Sequence, residues 1–261
     1  MKKLIYAIAL LFVTIGSVQC SQDGSESSSG GSQAGSPGNP NGGGSSDGQG
    51  GSMAVFALKG NYLYTVDTNY MHVFQISDPT NPVKVNDVYI GFNIETLYSL
   101  DNYLFVGSQN GMFIYDVSNP ENPTFMSQAE HFTACDPVVA NQTHAFVTLH
   151  SNTNCGNNIN TLMVYDIQNI EQPELIHQRN LVSPKGLALY ENYLIICDDE
   201  LKIFDITNPA EPTLAKSFNK SYKDVVIYNN ILFAFGTSQI TQYTWNASDF
   251  LTIEQISQLN Y

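Results

Sequence analysis

Four charged residues recur at one register of the chain. Eight residues before the aligned positions Tyr62, Tyr103, His144, Tyr193 and Ile231 stand Ala54, Glu95, Asp136, Lys185 and Lys223. Two carboxylates and two amines at matched positions are notable in a chain that is 13% charged. Such a ring could hold a small polar ligand or an ion. It could equally close on itself as two salt bridges. Glu95 and Asp136 also supply the paired carboxylates that glycoside hydrolysis needs, with Lys185 beside them. A second set, Asp78, Asp116, Asp166 and Asp205, lies beside Ser, Thr, Asn and Pro. Carboxylates in that company cap turns by accepting backbone N–H groups. Calcium would need six to eight converging oxygens, and no loop offers an Asp-x-Asp-x-Asp run.

The remaining reactive side chains narrow the chemistry further. There are four cysteines and no Cys-x-x-Cys, so neither a zinc site nor a redox motif is indicated. Cys135 and Cys155 span unit three's first two strands and reach into its insertion, 151–159, and are expected to form a disulfide in an oxidising compartment. Closing a loop of that size is worth roughly 3 kcal/mol. Cys197 ends the apolar run that starts at Tyr193 and reads as a core residue. His72, His131, His144, His150 and His177 show no metal-ligand spacing. No P-loop, Gly-x-Ser-x-Gly or Gly-x-Gly-x-x-Gly is present. No catalytic residue, metal or cofactor is assigned. Most of the 15 Tyr and 14 Phe alternate within strands, whereas Tyr70 and Tyr222 fall in loops and could stack on sugars.

Charge excludes some partners. With 10 basic and 24 acidic residues the net charge is −14. Removing Lys2 and Lys3 with a leader leaves 8 against 24, or −16. A surface of this sign repels nucleic acid and anionic headgroups, which bind clustered Lys and Arg.

The N-terminus carries export signals. Met1-Lys2-Lys3 is a basic start, and Leu4 to Ile15 is an apolar run too short to span a bilayer. Ser17-Val18-Gln19-Cys20 then resembles a bacterial lipobox, with Ser17 and Gln19 departing from the usual Leu and Gly or Ala. Residues 1–19 are accordingly expected to be a signal peptide and Cys20 the lipidated residue. Acyl chains contribute about 0.8 kcal/mol per buried methylene, so they anchor the protein without a transmembrane helix. Residues 21–26 resemble the acidic stretch of surface-exported lipoproteins. Residues 20–52 hold Gly, Ser, Asn, Gln, Asp and Pro with almost nothing to pack. They read as a disordered tether with a span of roughly 30 Å.

The rest of the chain repeats. Val73-Phe-Gln-Ile-Ser-Asp-Pro-Thr-Asn-Pro82 returns as Ile114-Tyr-Asp-Val-Ser-Asn-Pro-Glu-Asn-Pro123, then from Val164 to Pro173 and from Ile203 to Pro212. A second block precedes each: Asn61-Tyr-Leu-Tyr, Asn102-Tyr-Leu-Phe, Thr143-His-Ala-Phe, Asn192-Tyr-Leu-Ile and Asn230-Ile-Leu-Phe. The aligned positions are 41, 41, 49 and 38 residues apart. Unit two divides into strands at Glu95–Leu100, Tyr103–Gly107, Met112–Val117 and Thr124–Gln128, with no helical periodicity. Four short antiparallel strands with a period of about 41 describe a propeller blade. The expected fold is therefore all-β, a single β-propeller of about five four-stranded blades over residues 53–261. Each unit runs from inner to outer strand, so closure would rest on packing of blades one and five.

These blocks resemble the LVIVD repeat of secreted bacterial and archaeal propellers. The most specific stretches are Ala134-Cys-Asp-Pro-Val-Val-Ala, Pro184-Lys-Gly-Leu-Ala-Leu and Leu194-Ile-Ile-Cys-Asp-Asp-Glu-Leu-Lys-Ile-Phe-Asp205. The resemblance implies fold and export, and carries no catalytic residues. The expectation is a cell-envelope lipoprotein, held at the outer membrane by Cys20, with surface exposure the further expectation from residues 21–26. It would present its propeller as a binding or adaptor module for a protein or glycan. The alternatives are a carbohydrate-active or other hydrolytic enzyme using the channel-mouth carboxylates, and a purely structural surface protein.

Overall fold

The computed structural model describes residues 51–130, 137–150 and 159–261. Cys20, the leader, residues 20–50 of the tether, Cys135, Asp136 and Cys155 lie outside the described residues. Every described element is a β-strand, and the twenty strands form five sheets.

Blade one comprises β1 (Phe56–Lys59), β2 (Tyr62–Val66), β3 (Tyr70–Gln75) and β4 (Val83–Tyr89). Blade two comprises β5 (Ile94–Leu100), β6 (Tyr103–Ser108), β7 (Gly111–Asp116) and β8 (Thr124–Glu130). Blade three comprises β9 (Val138–Ala140), β10 (His144–Leu149), β11 (Thr161–Asp166) and β12 (Glu174–Asn180). Blade four comprises β13 (Leu187–Tyr190), β14 (Tyr193–Cys197), β15 (Leu201–Asp205) and β16 (Thr213–Phe218). Blade five comprises β17 (Asp224–Tyr228), β18 (Ile231–Phe235), β19 (Gln239–Asn246) and β20 (Asp249–Asn260). Each sheet is antiparallel, uses four consecutive strands and borrows none from another blade. The strands expected for unit two agree with those observed to within two residues at every end.

Local sequence explains the turns. The first two strands of blades one, two, four and five are joined by two residues, with Gly60, Asp101, Glu191 and Asn229 in the left-handed region. Such tight hairpins match the strand twist only with positive φ, which suits Gly, Asn and Asp best. Between the third and fourth strands the repeat aspartates act as turn caps. Asp78, Asp116, Asp166 and Asp205 accept the backbone N–H two residues on, from Thr80, Ser118, Gln168 and Thr207. The hydroxyls of Thr80, Ser118 and Thr207, and then those N–H groups, hold the Asp78, Asp116 and Asp205 carboxyls below the usual range.

Burial records which blades have neighbours. In the middle blades consecutive residues are buried, as in Leu104–Ser108 and Leu194–Cys197, because both faces of the sheet are covered. In β18 only the alternate residues Leu232 and Ala234 are buried, and in β2 only Tyr64, the mark of a sheet covered on one face. Blades one and two share a core of Ala57, Tyr64, Leu97 and Leu104. Blades two, three and four share Phe105, Phe146, Leu187 and Phe204. Blades four and five share Tyr190, Ile195, Val225 and Tyr243. Among the described residues no apolar cluster joins blades five and one.

A bulge sits at the same place in each outer pair of strands, and it aims one side chain at the next blade. Asn86 donates to Glu121 O at 2.7 Å, and Ser127 to Ile170 O at 2.6 Å. His177 Nδ1 meets Ala210 O at 2.9 Å. Lys216 Nζ donates to Leu251 O and Ile253 O at 2.7 and 3.0 Å. Ser257 holds this position in blade five and makes no such bond among the described residues. Four seams are thus packed and bonded, while the fifth is neither. The closure expected from packing of blades one and five is replaced by a different device at the axis.

Candidate functional site

That device is the segment 51–54, which the sequence places at the edge of the tether but which is packed here. Ser52 is buried and accepts the N–H of Leu187 in blade four at 2.7 Å. Its own hydroxyl donates to Asp224 Oδ1 in blade five at 3.2 Å. Two residues on, Ala54 O accepts the N–H of Leu97 in blade two at 2.7 Å. The segment therefore ties blades four and five to blades one and two at the mouth of the axial channel.

Asp224 is the centre of this hub. Burial pushes its carboxyl from 3.8 up to about 6, against the opposing pull of the Val225 N–H, the Ser52 hydroxyl and the Met53 N–H. The carboxylate lies between two glycines. A Cβ on Gly51 would fall 2.1 Å from Oδ2, and one on Gly186 would fall 2.0 Å from Oδ1 and 2.7 Å from the Asp224 Cα. Only glycine lets blades four and five approach this closely. The sequence reading stopped one residue short of Asp224, at Lys223. The available signal was a carboxylate opening an otherwise apolar inner strand, at the same register as Gly186 in the neighbouring unit.

Of the matched positions of the expected charged ring, Ala54, Glu95, Lys185 and Lys223 are among the described residues. Glu95 is the bulged residue of β5 and accepts from Gln109 Nε2 at 3.0 Å. Lys185 precedes β13, donates its N–H to Cys197 O at 2.7 Å and accepts Thr148 Oγ1 at 2.7 Å. Lys223 precedes β17; it donates to Phe235 O at 2.6 Å and accepts the Gly186 N–H at 3.0 Å. Ala54, Lys185 and Lys223 thus carry a belt of backbone bonds around the mouth, whatever their side chains do. Asp136, the fourth charge, lies outside the described residues.

Other expected residues fall into structural places. Cys197 is buried beside this belt, and burial raises its thiol well above the ordinary value. Tyr222 is not a loop platform: it is buried, and its hydroxyl lies 2.7 Å from that of Tyr243. Asp198, one residue beyond Cys197, has a fully buried side chain. It accepts the N–H groups of Val182 and Ser183 and pairs with Lys202 at 2.7 Å. No group of His, Cys, Asp and Glu among the described residues could hold a metal ion.

Tyr70, by contrast, is exposed. It opens β3 rather than lying in a loop, on the side of blade one that would face blade five, and among the described residues no sheet packs on that side. Phe56, Leu63, Thr65, His72 and Phe74 occupy the positions that Leu97, Leu104, Val106, Phe113 and Tyr115 fill in blade two. In blade two the four at Leu97, Leu104, Val106 and Tyr115 are buried against blade one. In blade one Phe56 is 42% exposed, and Leu63, Thr65 and Phe74 are half-buried. The matching side of blade five is more polar, because Gln242 replaces the repeat's Val73, Ile114, Val164 and Ile203.

Five such sheets around an axis define a β-propeller, and comparison with known proteins agrees. The chain carries LVIVD repeats: that family matches residues 50–89, 99–130 and 183–220, in blades one, two and four. Among solved structures it is similar to a protein from Lactobacillus plantarum, with a TM-score of 0.63 and 11% identity over 76% of this chain and 67% of that one. It is similar to the periplasmic gluconolactonase PpgL of Pseudomonas aeruginosa, with a TM-score of 0.60 and 11% identity over 77% and 68%. BamB from Moraxella catarrhalis matches with a TM-score of 0.52 and 12% identity over 69% and 54%. At these identities the likeness shows the fold alone. No curated protein sequence matches the chain.

Proposed function

We propose that the protein is a non-enzymatic binding module of the cell envelope, tethered by a lipid on Cys20, which holds its partner on the uncovered side of blade one. The observation that carries this reading is the exception to the repeat. Four blade-to-blade seams bury the leading side of a sheet and bond its rim, and the side bearing Phe56, Leu63 and Phe74 has no such cover. Terminal repeats of a stacked array need a polar outer side for solubility. Blade five has moved in that direction through Gln242, whereas blade one keeps aromatic and aliphatic groups. Exposed apolar surface of this kind marks interaction sites. The periplasmic gluconolactonase and BamB, which share the fold, are compatible with an exported location for this chain.

The test uses the mature chain as bait on envelope extracts of producing cells, with Phe56→Glu and Phe125→Ala as paired variants. Phe125 is also exposed but lies on the outer strand of blade two. A partner lost with Phe56→Glu and kept with Phe125→Ala supports the reading. Capture that is the same with both variants refutes it. Cys20→Ser should move the protein from the membrane to the soluble fraction; retention in the membrane refutes the lipid anchor.

A further inference from the structure

The outer part of the same uncovered side carries an ordered group of aromatic rings and carboxylates. Tyr70, Tyr89 and Phe92 are 41%, 52% and 66% exposed. Tyr70 meets Tyr89 edge to face, with centroids 5.4 Å apart and planes at 70°; Tyr89 and Phe92 do the same at 6.1 Å and 85°. His72 stacks on Tyr70 at 6.3 Å.

The rings are held rather than loose. Asp67 Oδ1 accepts the N–H groups of Asn69 and Tyr70 at 2.8 Å, which fixes the turn before β3. Asp67 Oδ2 meets His72 Nε2 at 3.1 Å, and Asp87 Oδ1 meets His72 Nδ1 at 2.5 Å. Lys84 Nζ takes Asp87 Oδ2 at 2.7 Å. Each carboxylate has about four acceptor sites. These bonds occupy three on Asp67 and two on Asp87, so both retain acceptors directed to solvent.

We infer that this rim, formed by Tyr70, Tyr89, Phe92, Asp67 and Asp87, binds a neutral saccharide chain. The inference rests on the reading of this side as the binding side, and names the ligand of its outer half. The C–H face of a pyranose covers an aromatic ring, and its vicinal hydroxyls donate to the remaining carboxylate sites as charge-assisted bonds. A protein surface laid over the same rim would have to desolvate Asp67, His72, Asp87 and Lys84. Saccharide hydroxyls replace the lost water in kind. Charge selects among glycans: a chain of net charge −14 repels phosphorylated and uronate-bearing polymers.

The experiment is calorimetric titration of the mature chain with hexasaccharides of β-1,4-glucose, α-1,4-glucose, β-1,4-mannose and β-1,4-N-acetylglucosamine. A heparin-derived hexasaccharide serves as the anionic arm. At least one neutral ligand should saturate below about 10 mM and lose about tenfold in affinity in both Tyr89→Ala and Phe92→Ala. These side chains are exposed, so the variants keep the fold; matching thermal unfolding of variant and parent checks this. No saturation by any neutral ligand, or affinities unchanged by both rim variants, overturns the inference. Tighter binding of the anionic hexasaccharide overturns it as well. If partner capture still depends on Phe56 in those cases, the rim is the outer part of a protein interface and the binding-module reading survives. If that dependence is also missing, both fall.

Discussion

Gly186→Ala tests the axial hub most directly. The added Cβ would stand 2.7 Å from the Asp224 Cα, and ordinary contact begins near 3.4 Å. Rotating the carboxylate therefore cannot relieve the clash, and β13 and β17 must separate by several tenths of an ångström. That separation stretches the Gly186 N–H bond to Lys223 O, now 3.0 Å, and the Leu187 N–H bond to Ser52 Oγ, now 2.7 Å. Overpacking costs about 1–3 kcal/mol, and each weakened bond adds up to about 1 kcal/mol. The expected loss is about 2–4 kcal/mol, or roughly 5–15 °C in Tm for a domain of this size. Circular dichroism melts of parent and variant at neutral pH measure it. A change below about 0.5 kcal/mol, the level of an ordinary surface substitution, would refute the close approach of blades four and five around Asp224.

Three further outcomes follow from the same geometry. The folded-state carboxyl of Asp224 lies near 6 and its ordinary value is 3.8, so the folded state holds the proton more tightly; stability from this group is highest at low pH and falls as pH rises through 6, by about 1.4 kcal/mol between pH 5 and 7.5. Urea unfolding at those two pH values should show this slope in the parent and its loss in Asp224→Asn; an unaltered slope in the variant assigns the effect elsewhere. Phe105→Ala empties the seam between blades two and three and should cost about 3–5 kcal/mol, whereas Phe56→Ala, at the equivalent edge of the open seam, should cost under about 0.5 kcal/mol; a large loss for Phe56 would show that blades one and five pack in solution. Asp198→Ala leaves the Val182 and Ser183 N–H groups and Lys202 without their buried acceptor and should cost about 2–4 kcal/mol in chemical denaturation, and a neutral result would refute its anchoring role.

Much of the architecture is legible in the sequence because each blade is assembled from neighbours in the chain. The Asp-capped turns at Asp116, Asp166 and Asp205 and the Asn-bearing hairpins at Asn102 and Asn192 are local, and local bonds leave local signatures. Unit two's strands could be placed for that reason, and Cys197 could be read as core from the apolar run that contains it. Tyr222 lies between strands as the sequence suggests, but it is buried rather than open to a ligand, because its partner, the hydroxyl of Tyr243, lies in another part of the blade. The hub was missed for a related reason. Ser52 looks like the last residue of a featureless tether until it is seen between Leu187 and Asp224, 135 and 172 residues away.

By itself the sequence determined the repeat, the number of blades, their strands and the turn chemistry. Only the tertiary structure decided how the ends of the array meet. Identical repeats pose the same seam at every joint, so spacing cannot show that four seams are filled and the fifth is spanned by residues 51–54. The uncovered side of blade one has the same origin. Phe56, Leu63 and Phe74 stand where Leu97, Leu104 and Tyr115 are buried in blade two, and they keep more contact with solvent because, among the described residues, no sheet packs against them.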